Sequence, residues 1–136
     1  MSRRAGQWDP ASHREWIQLD RRRFALAAQW GRLFEEFDVV LCPAAPVTAF
    51  PHDTGAFHQR RLASGDKTFA YGLLPLWIAP PTPTGQPVTI MPIGRDPAGL
   101  PIGMQIIGPY LQDRTTIAFA GLVEQAFGGF VAPPGY

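Results

Sequence analysis

Residues 87–108, PVTIMPIGRDPAGLPIGMQIIG, decide the fold. Val88 to Gly94 and Ile102 to Gly108 are two β-rich runs. Between them Arg95-Asp96-Pro97-Ala98-Gly99 has type I turn chemistry, with Asp first, Pro second and Gly fourth. The spacing predicts an antiparallel hairpin over about 88–108. Downstream, Asp113 is an expected N-cap for a helix carrying Ile117, Phe119, Ala120, Val123 and Phe127, and Gly128-Gly129 supplies its stop. A Pro-rich tail closes the sequence.

Upstream of the hairpin the chain changes character. Asp9-Pro10 can open a helix, with Asp9 as cap and Pro10 where its missing N–H costs nothing, and Ser12 is a competing cap. Trp16, Leu19, Leu26, Trp30, Leu33 and Phe37 then recur at helical spacing, with Asp20, Arg22 and Arg32 between them. This predicts a long amphipathic helix over 9–37, ended by Asp38. Val39-Val40-Leu41-Cys42 is a short continuous apolar run, expected to be a strand covered on both faces. Pro43, Pro46 and Pro51 interrupt the following segment, which reads as an ordered loop or an edge excursion. From Gly55 to Ala70 the signals are poor, apart from a turn at Ser64-Gly65-Asp66. Phe69 to Ala79 is apolar enough for a short helix broken at Pro75, and Pro80, Pro81 and Pro83 forbid its continuation. The elements alternate as in an α/β domain, and no internal repeat is visible.

Composition limits what the chain can do. A length of 136 residues suits one domain, and 46% hydrophobic against 17% charged residues argues against disorder. A formal net charge of +1 leaves no strong field for phosphate backbones or anionic lipids. The only basic run, Arg21-Arg22-Arg23, would fan around a helix and reads as a solvated face, so no nucleic-acid contact is expected. One cysteine, Cys42, excludes an internal disulfide framework and a Cys-only zinc site. No apolar run reaches the ~20 residues of a membrane span, and Met1 to Arg4 does not lead into a signal-peptide core. A cytoplasmic location without membrane contact is the expectation.

The order of the motifs carries a resemblance. SHREW near the helix start, FDVVLCPAAPVTAFPHD after it, Tyr71 and Trp77, TGQPVTIMPIG, DPAGLPIGMQIIGP and the closing DRTTIAFA together resemble the C-terminal portion of the amidase-signature family. The resemblance implies an α/β fold whose mixed, twisted sheet is flanked by helices, with residues 1–136 forming part of one domain. It also implies amide C–N hydrolysis through an acyl-serine intermediate, without metal or organic cofactor. In that family a serine nucleophile works with a second serine held by a cis peptide bond and with a lysine base, because a serine hydroxyl needs a neighbour to take its proton and the oxyanion needs N–H donors. No motif position of that apparatus is matched in this sequence, so no catalytic residue is assigned. Substrate-binding residues stay unknown.

Other candidates compete with plain structural roles. Ser64 and Lys67 could form a chance dyad, but neighbours across a turn lack the desolvation that would free the lysine's lone pair. Cys42 with His52 or His58 could be a Cys/His pair, whereas a cysteine ending an apolar run more often packs as a small hydrophobe. His52-Asp53 with His58 could suggest a metal site, yet two histidines six apart in a Pro-rich loop give no ligand geometry, and no metal is assigned. Trp16, Trp30, Phe34 and Phe37 are either helix-packing residues or a partner-binding face. Pro80, Pro81 and Pro83 should shorten a helix that is common in the family at this place, altering the adjoining pocket wall. The sequence therefore predicts an amidase segment inactive alone, or else a non-catalytic or self-associating partner that complements an N-terminal amidase half.

Overall fold

A computed structural model describes residues 11–133 and 135. Helix α1 spans His13–Leu33 and starts at a complete capping box: the Glu15 N–H donates to the Ser12 hydroxyl, and the Ser12 N–H donates to the Glu15 carboxylate at 2.8 Å. Ser12 is thus the cap of this helix, while Asp9 and Pro10 lie outside the described residues. The helix stops at Leu33, four residues before the expected end. Phe34 to Phe37 leave it through hydrogen bonds to Trp30, Arg32 and Leu33, so Asp38 follows a turn and does not end a helix. Arg21, Arg22 and Arg23 are exposed, and Arg23 pairs with Asp20 at 2.8 Å.

Strands β1 (Val40–Pro43), β4 (Val88–Arg95) and β5 (Pro101–Ile107) form an antiparallel sheet in the order β1-β5-β4. The hairpin therefore exists, and β5 is its central strand. Its tip is held by Asp96, whose Oδ1 accepts from the Ala98 and Leu100 N–H groups, while the Gly99 N–H closes the turn on the Asp96 carbonyl at 2.9 Å. Gly99 has a φ of 83°, which is why glycine stands fourth. A bulge between Pro92 and Gly94 shifts the register where proline removes a ladder donor.

Between β1 and the hairpin lies a second sheet that the sequence pattern does not announce. Strands β2 (Arg61–Ser64) and β3 (Lys67–Ala70) pair antiparallel across the two-residue Gly65-Asp66 turn, with Gly65 at φ 59°. A Gly-Asp pair between short runs is a hairpin signal, obscured here because neither arm is strongly apolar. Phe69 and Ala70 consequently belong to a strand. The expected helix is replaced by a single 3-10 turn, Tyr71–Leu73, then further turns and the Thr82–Thr84 turn, in which Pro83 supplies no N–H.

Helix α2 spans Asp113–Phe127 and packs on β4 and β5. Gln112 occupies the N-cap position, so Asp113 sits inside the first turn, where its charge still suits the helix dipole. Gly128, at φ 83°, ends the helix as expected. The buried contact is made by Thr116, whose hydroxyl accepts from Thr89 on β4 at 2.8 Å and donates to the Asp113 carbonyl. Phe119, Ala120 and Val123 are half-buried, whereas Ile117 and Phe127, expected on the packed face, are 62% and 82% exposed.

The core is thin. Among the described residues, Leu62, Met91, Ile106 and Ile107 are the buried apolar side chains apart from Pro81, and α1 contributes none. Strand β1 is an edge strand with Leu41 half exposed, so it is not covered on both faces as its composition suggested. No helix among the described residues is long and apolar enough to cross a membrane.

Candidate functional site

The Pro-rich segment after β1 is pinned to the hairpin at two points. The Ala44 N–H donates to the Gly103 carbonyl at 2.9 Å, and the Thr48 hydroxyl donates to Asp96 Oδ2 at 2.8 Å. Position 103 is tightly packed, because a Cβ there would lie 3.1 Å from that of Ala44. The Thr48 hydroxyl, then the Leu100 N–H, hold the Asp96 carboxyl below its ordinary pKa. These ties open a cleft of about 570 Å³ lined by Val47, Thr48, Phe50, Ser64, Asp96 and Ile102.

The other side of the same segment is apolar. Pro43, Pro46, Phe69, Leu73, Leu76 and Trp77 surround a second hollow of about 430 Å³. Its wall is set by Gln105, 1% exposed on the central strand, whose Nε2 donates to the Trp77 carbonyl at 2.8 Å and to Cys42 Sγ at 3.1 Å. A buried amide that spends its donors on one strand and one loop fixes their separation, since breaking either bond would leave a polar group dry. Tyr71 fixes the outer loop, meeting Phe50 and Phe57 edge to face and the Arg60 guanidinium over its ring.

Ser64 and Lys67 are register partners flanking the Gly65-Asp66 turn, both exposed, and neither side chain makes a hydrogen bond to the other. The Ser12 hydroxyl is committed to its helix cap, and Ser2 lies outside the described residues. Cys42 is half-buried, and its partner is Gln105 rather than a histidine. His52 and His58 are exposed, Asp53 is turned back onto the Gly55 N–H at 2.8 Å, and no group of three metal-ligating side chains forms among the described residues. Of the helix aromatics, Trp30 and Phe34 stack with centroids 5.7 Å apart, while Trp16 and Phe37 are 56% and 49% exposed. Thr48, Asp96 and Gln105 were not singled out from sequence as site residues. The legible signal for Gln105 was a lone polar residue inside the apolar run IGMQIIG.

What this arrangement can do is hold walls. It provides two shaped hollows back to back on one segment, a buried amide and a saturated carboxylate. Among the described residues no serine, threonine or cysteine is seen hydrogen-bonded to a lysine or histidine that could take its proton.

Comparison with known proteins identifies the family to which this sheet-and-helix scaffold belongs. The chain belongs to the amidase family, whose family model matches residues 1–117. It is 34% identical over 113 residues to a glutamyl-tRNA(Gln) amidotransferase subunit of Thermosynechococcus vestitus, an alignment that covers 81% of this chain and 21% of that protein. The corresponding subunit from Synechococcus sp. is 36% identical over 104 residues, covering 76% of this chain and 20% of its own length. Among solved structures, one described as a crystal structure of amidase superposes with a TM-score of 0.72 at 21% identity, over 87% of this chain and 26% of that one. A second, from a vestigial protein complex bearing on the origins of an s-triazine catabolic enzyme, has a TM-score of 0.69 at 22% identity, over 88% and 25%. The fold class expected from the motifs is therefore the one found. The chain spans about a fifth of the length of these curated relatives.

Proposed function

We propose that this chain is the C-terminal, wall-forming segment of an amide-hydrolysing fold, and that residues 1–136 do not turn over amides by themselves. The single observation that carries this reading is the uncovered apolar surface on the sheet and on α2. Among the described residues both outer strands of the β1-β5-β4 sheet lack a second neighbour, and α1 contributes no buried side chain. Ile90 on β4, 58% exposed, and Ile117, Leu122 and Phe127 on α2 are apolar surface of the kind that a further layer of the same fold would cover.

In this reading the serine nucleophile, its serine partner and the lysine base come from the remaining four-fifths of the fold, whichever polypeptide carries it. Thr48, Asp96 and Gln105 hold the two hollows that complete the pocket. Co-expression of this chain with an amidase half bearing the Gly/Ser-rich segment should yield a complex that releases ammonia from a primary amide, while the purified chain alone releases none. Ammonia release by the isolated chain that disappears in Ser64→Ala or Lys67→Met would overturn the proposal. The same reading has the protein in the cytoplasm, where its lone half-buried Cys42 would remain a thiol.

The open edges also support a second reading, a self-associating module. Equilibrium sedimentation separates the two: a concentration-dependent dimer that an amidase half does not displace would favour self-association.

A further inference from the structure

Helix α1 carries an apolar stripe that the rest of the chain leaves largely uncovered. Leu19, Arg23, Leu26, Trp30, Leu33 and Phe37 recur at alternating steps of four and three residues, which is the spacing of a coiled-coil seam. Leu19, Leu33 and Phe37 are 56%, 37% and 49% exposed, while Leu26 and Trp30 are half-buried. Phe37 continues the stripe past the end of α1, because its N–H still reaches the Leu33 carbonyl at 3.1 Å as in a helical turn. The stripe is centred about 80° round the helix from Ala27. Ala27 is on the packed side, in a groove shared with Thr84, Gln86 and Tyr110.

Charge along the helix is arranged end to end. Arg14, Arg21 and Arg22 lie in the first half of α1, and Glu35, Glu36 and Asp38 follow its last residue, all of them exposed. Acid at a helix C-terminus opposes the helix dipole, so α1 itself gives no reason for Glu35 and Glu36 to be there. Among the described residues the one ion pair is Arg23 with Asp20, which leaves Arg22 and Glu36 without a partner charge. Both sit beside the seam, since Arg22 precedes Arg23 and Glu36 precedes Phe37. They hold the same position of the seven-residue repeat, two repeats apart, one basic and one acidic. A stripe with opposite charges at its two ends is complementary to itself once turned round by a two-fold axis.

We propose that α1 pairs antiparallel with α1 of a second copy of this chain. In this register Leu19 meets Phe37 and Leu26 meets Trp30 of the second copy. The Arg23 stem covers Leu33, and Arg22 meets Glu36, each contact being made twice about an axis near Ala28. A parallel pair would instead set basic end beside basic end. The face is not the open strand edge of the sheet, so this association and one through the sheet can fail separately.

The test is equilibrium sedimentation of the full chain and of variants at exposed positions, with circular dichroism to follow helix content. Arg22→Glu and Glu36→Arg should each weaken the dimer about tenfold, because two ion pairs become two like-charge contacts. The double variant should regain most of that loss, since the pairs are restored with their signs exchanged. Leu19→Arg should abolish the dimer, Ile90→Lys on β4 should leave it intact, and added salt should weaken it. A chain that stays monomeric would overturn the proposal. So would a dimer indifferent to Arg22→Glu, or a double variant weaker than either single one. A dimer lost in Ile90→Lys but kept in Leu19→Arg would place the contact on the strand edge and overturn it too, as would aggregates that ignore every charge reversal.

Discussion

The docking of α2 onto the hairpin predicts a coupled pair of mutations. Gly108, just past β5, is buried, and a Cβ there would come within 2.5 Å of Thr116 Cγ2 and 3.7 Å of the Gln112 carbonyl oxygen. Thr116 cannot swing aside, because its hydroxyl is held by both Thr89 and Asp113 and its branched side chain is stiff at χ1. Gly108→Ala should therefore push the helix from the sheet, costing about 1–3 kcal/mol as overpacking does. Thr116→Ser keeps both hydrogen bonds and removes only the methyl, a loss of about 1 kcal/mol. In the double variant the new methyl occupies the space the old one left. Its stability should then sit at least about 1 kcal/mol above the sum of the single losses. Urea unfolding of the four proteins, followed by tryptophan fluorescence and far-ultraviolet circular dichroism, measures the cycle. Additivity within about 0.5 kcal/mol would refute the contact and, with it, the placement of α2.

Other outcomes follow from the polar ties. The Asp96 carboxyl is depressed by Thr48 and the turn N–H groups, so its contribution to stability is full above the unfolded aspartate value near ~3.9 and is lost as pH falls through the lower folded value; Thr48→Val should flatten that acid limb in pH-dependent unfolding without moving the neutral limb. Ser12→Ala removes the capping box of α1 and should cost about 1 kcal/mol, seen as lower helicity and a lower urea midpoint, while Ser12→Asp should restore most of it. Gln105→Leu leaves the Trp77 carbonyl and Cys42 Sγ without their donor, and the Cys42 thiol should react several-fold faster with an aromatic disulfide as the Trp77 loop loosens.

Much of the fold was legible because it is local. The 88–108 hairpin was readable from two β-rich runs and from Asp-Pro-x-Gly between them, both of which act within a few residues. The helix start at Ser12 and the stop at Gly128 are likewise decided by neighbours. Errors arose where distant contacts decide. Val39-Val40-Leu41-Cys42 has the composition of a buried strand, yet within this chain β1 lies at an edge with Leu41 half exposed, and no property of those four residues could reveal that. The β2–β3 hairpin escaped because its arms, RLAS and KTFA, are short and polar on one face, leaving Leu62 as its buried side chain. The site residues were the least legible. Asp96 reads as a turn residue and is one, and its tie to Thr48 spans 48 positions.

The same apolar residues that misled at β1 and α2 also argue for what the chain is. A strand as apolar as Val39 to Cys42 and a helix apolar on two faces are unfavourable in a free domain, because the uncovered side gains nothing from burial and leaves strand edges open to pairing. They are well suited to a chain covered on both sides. Ile90, Leu122 and Phe127 are exposed here, but the composition around them is that of an interior. On the proposed reading this chain is covered by the rest of an amidase fold, and the mismatch between composition and burial is the part of the core that such a contact would complete. A family match over residues 1–117 and an alignment spanning a fifth of the relatives' length are in keeping with it.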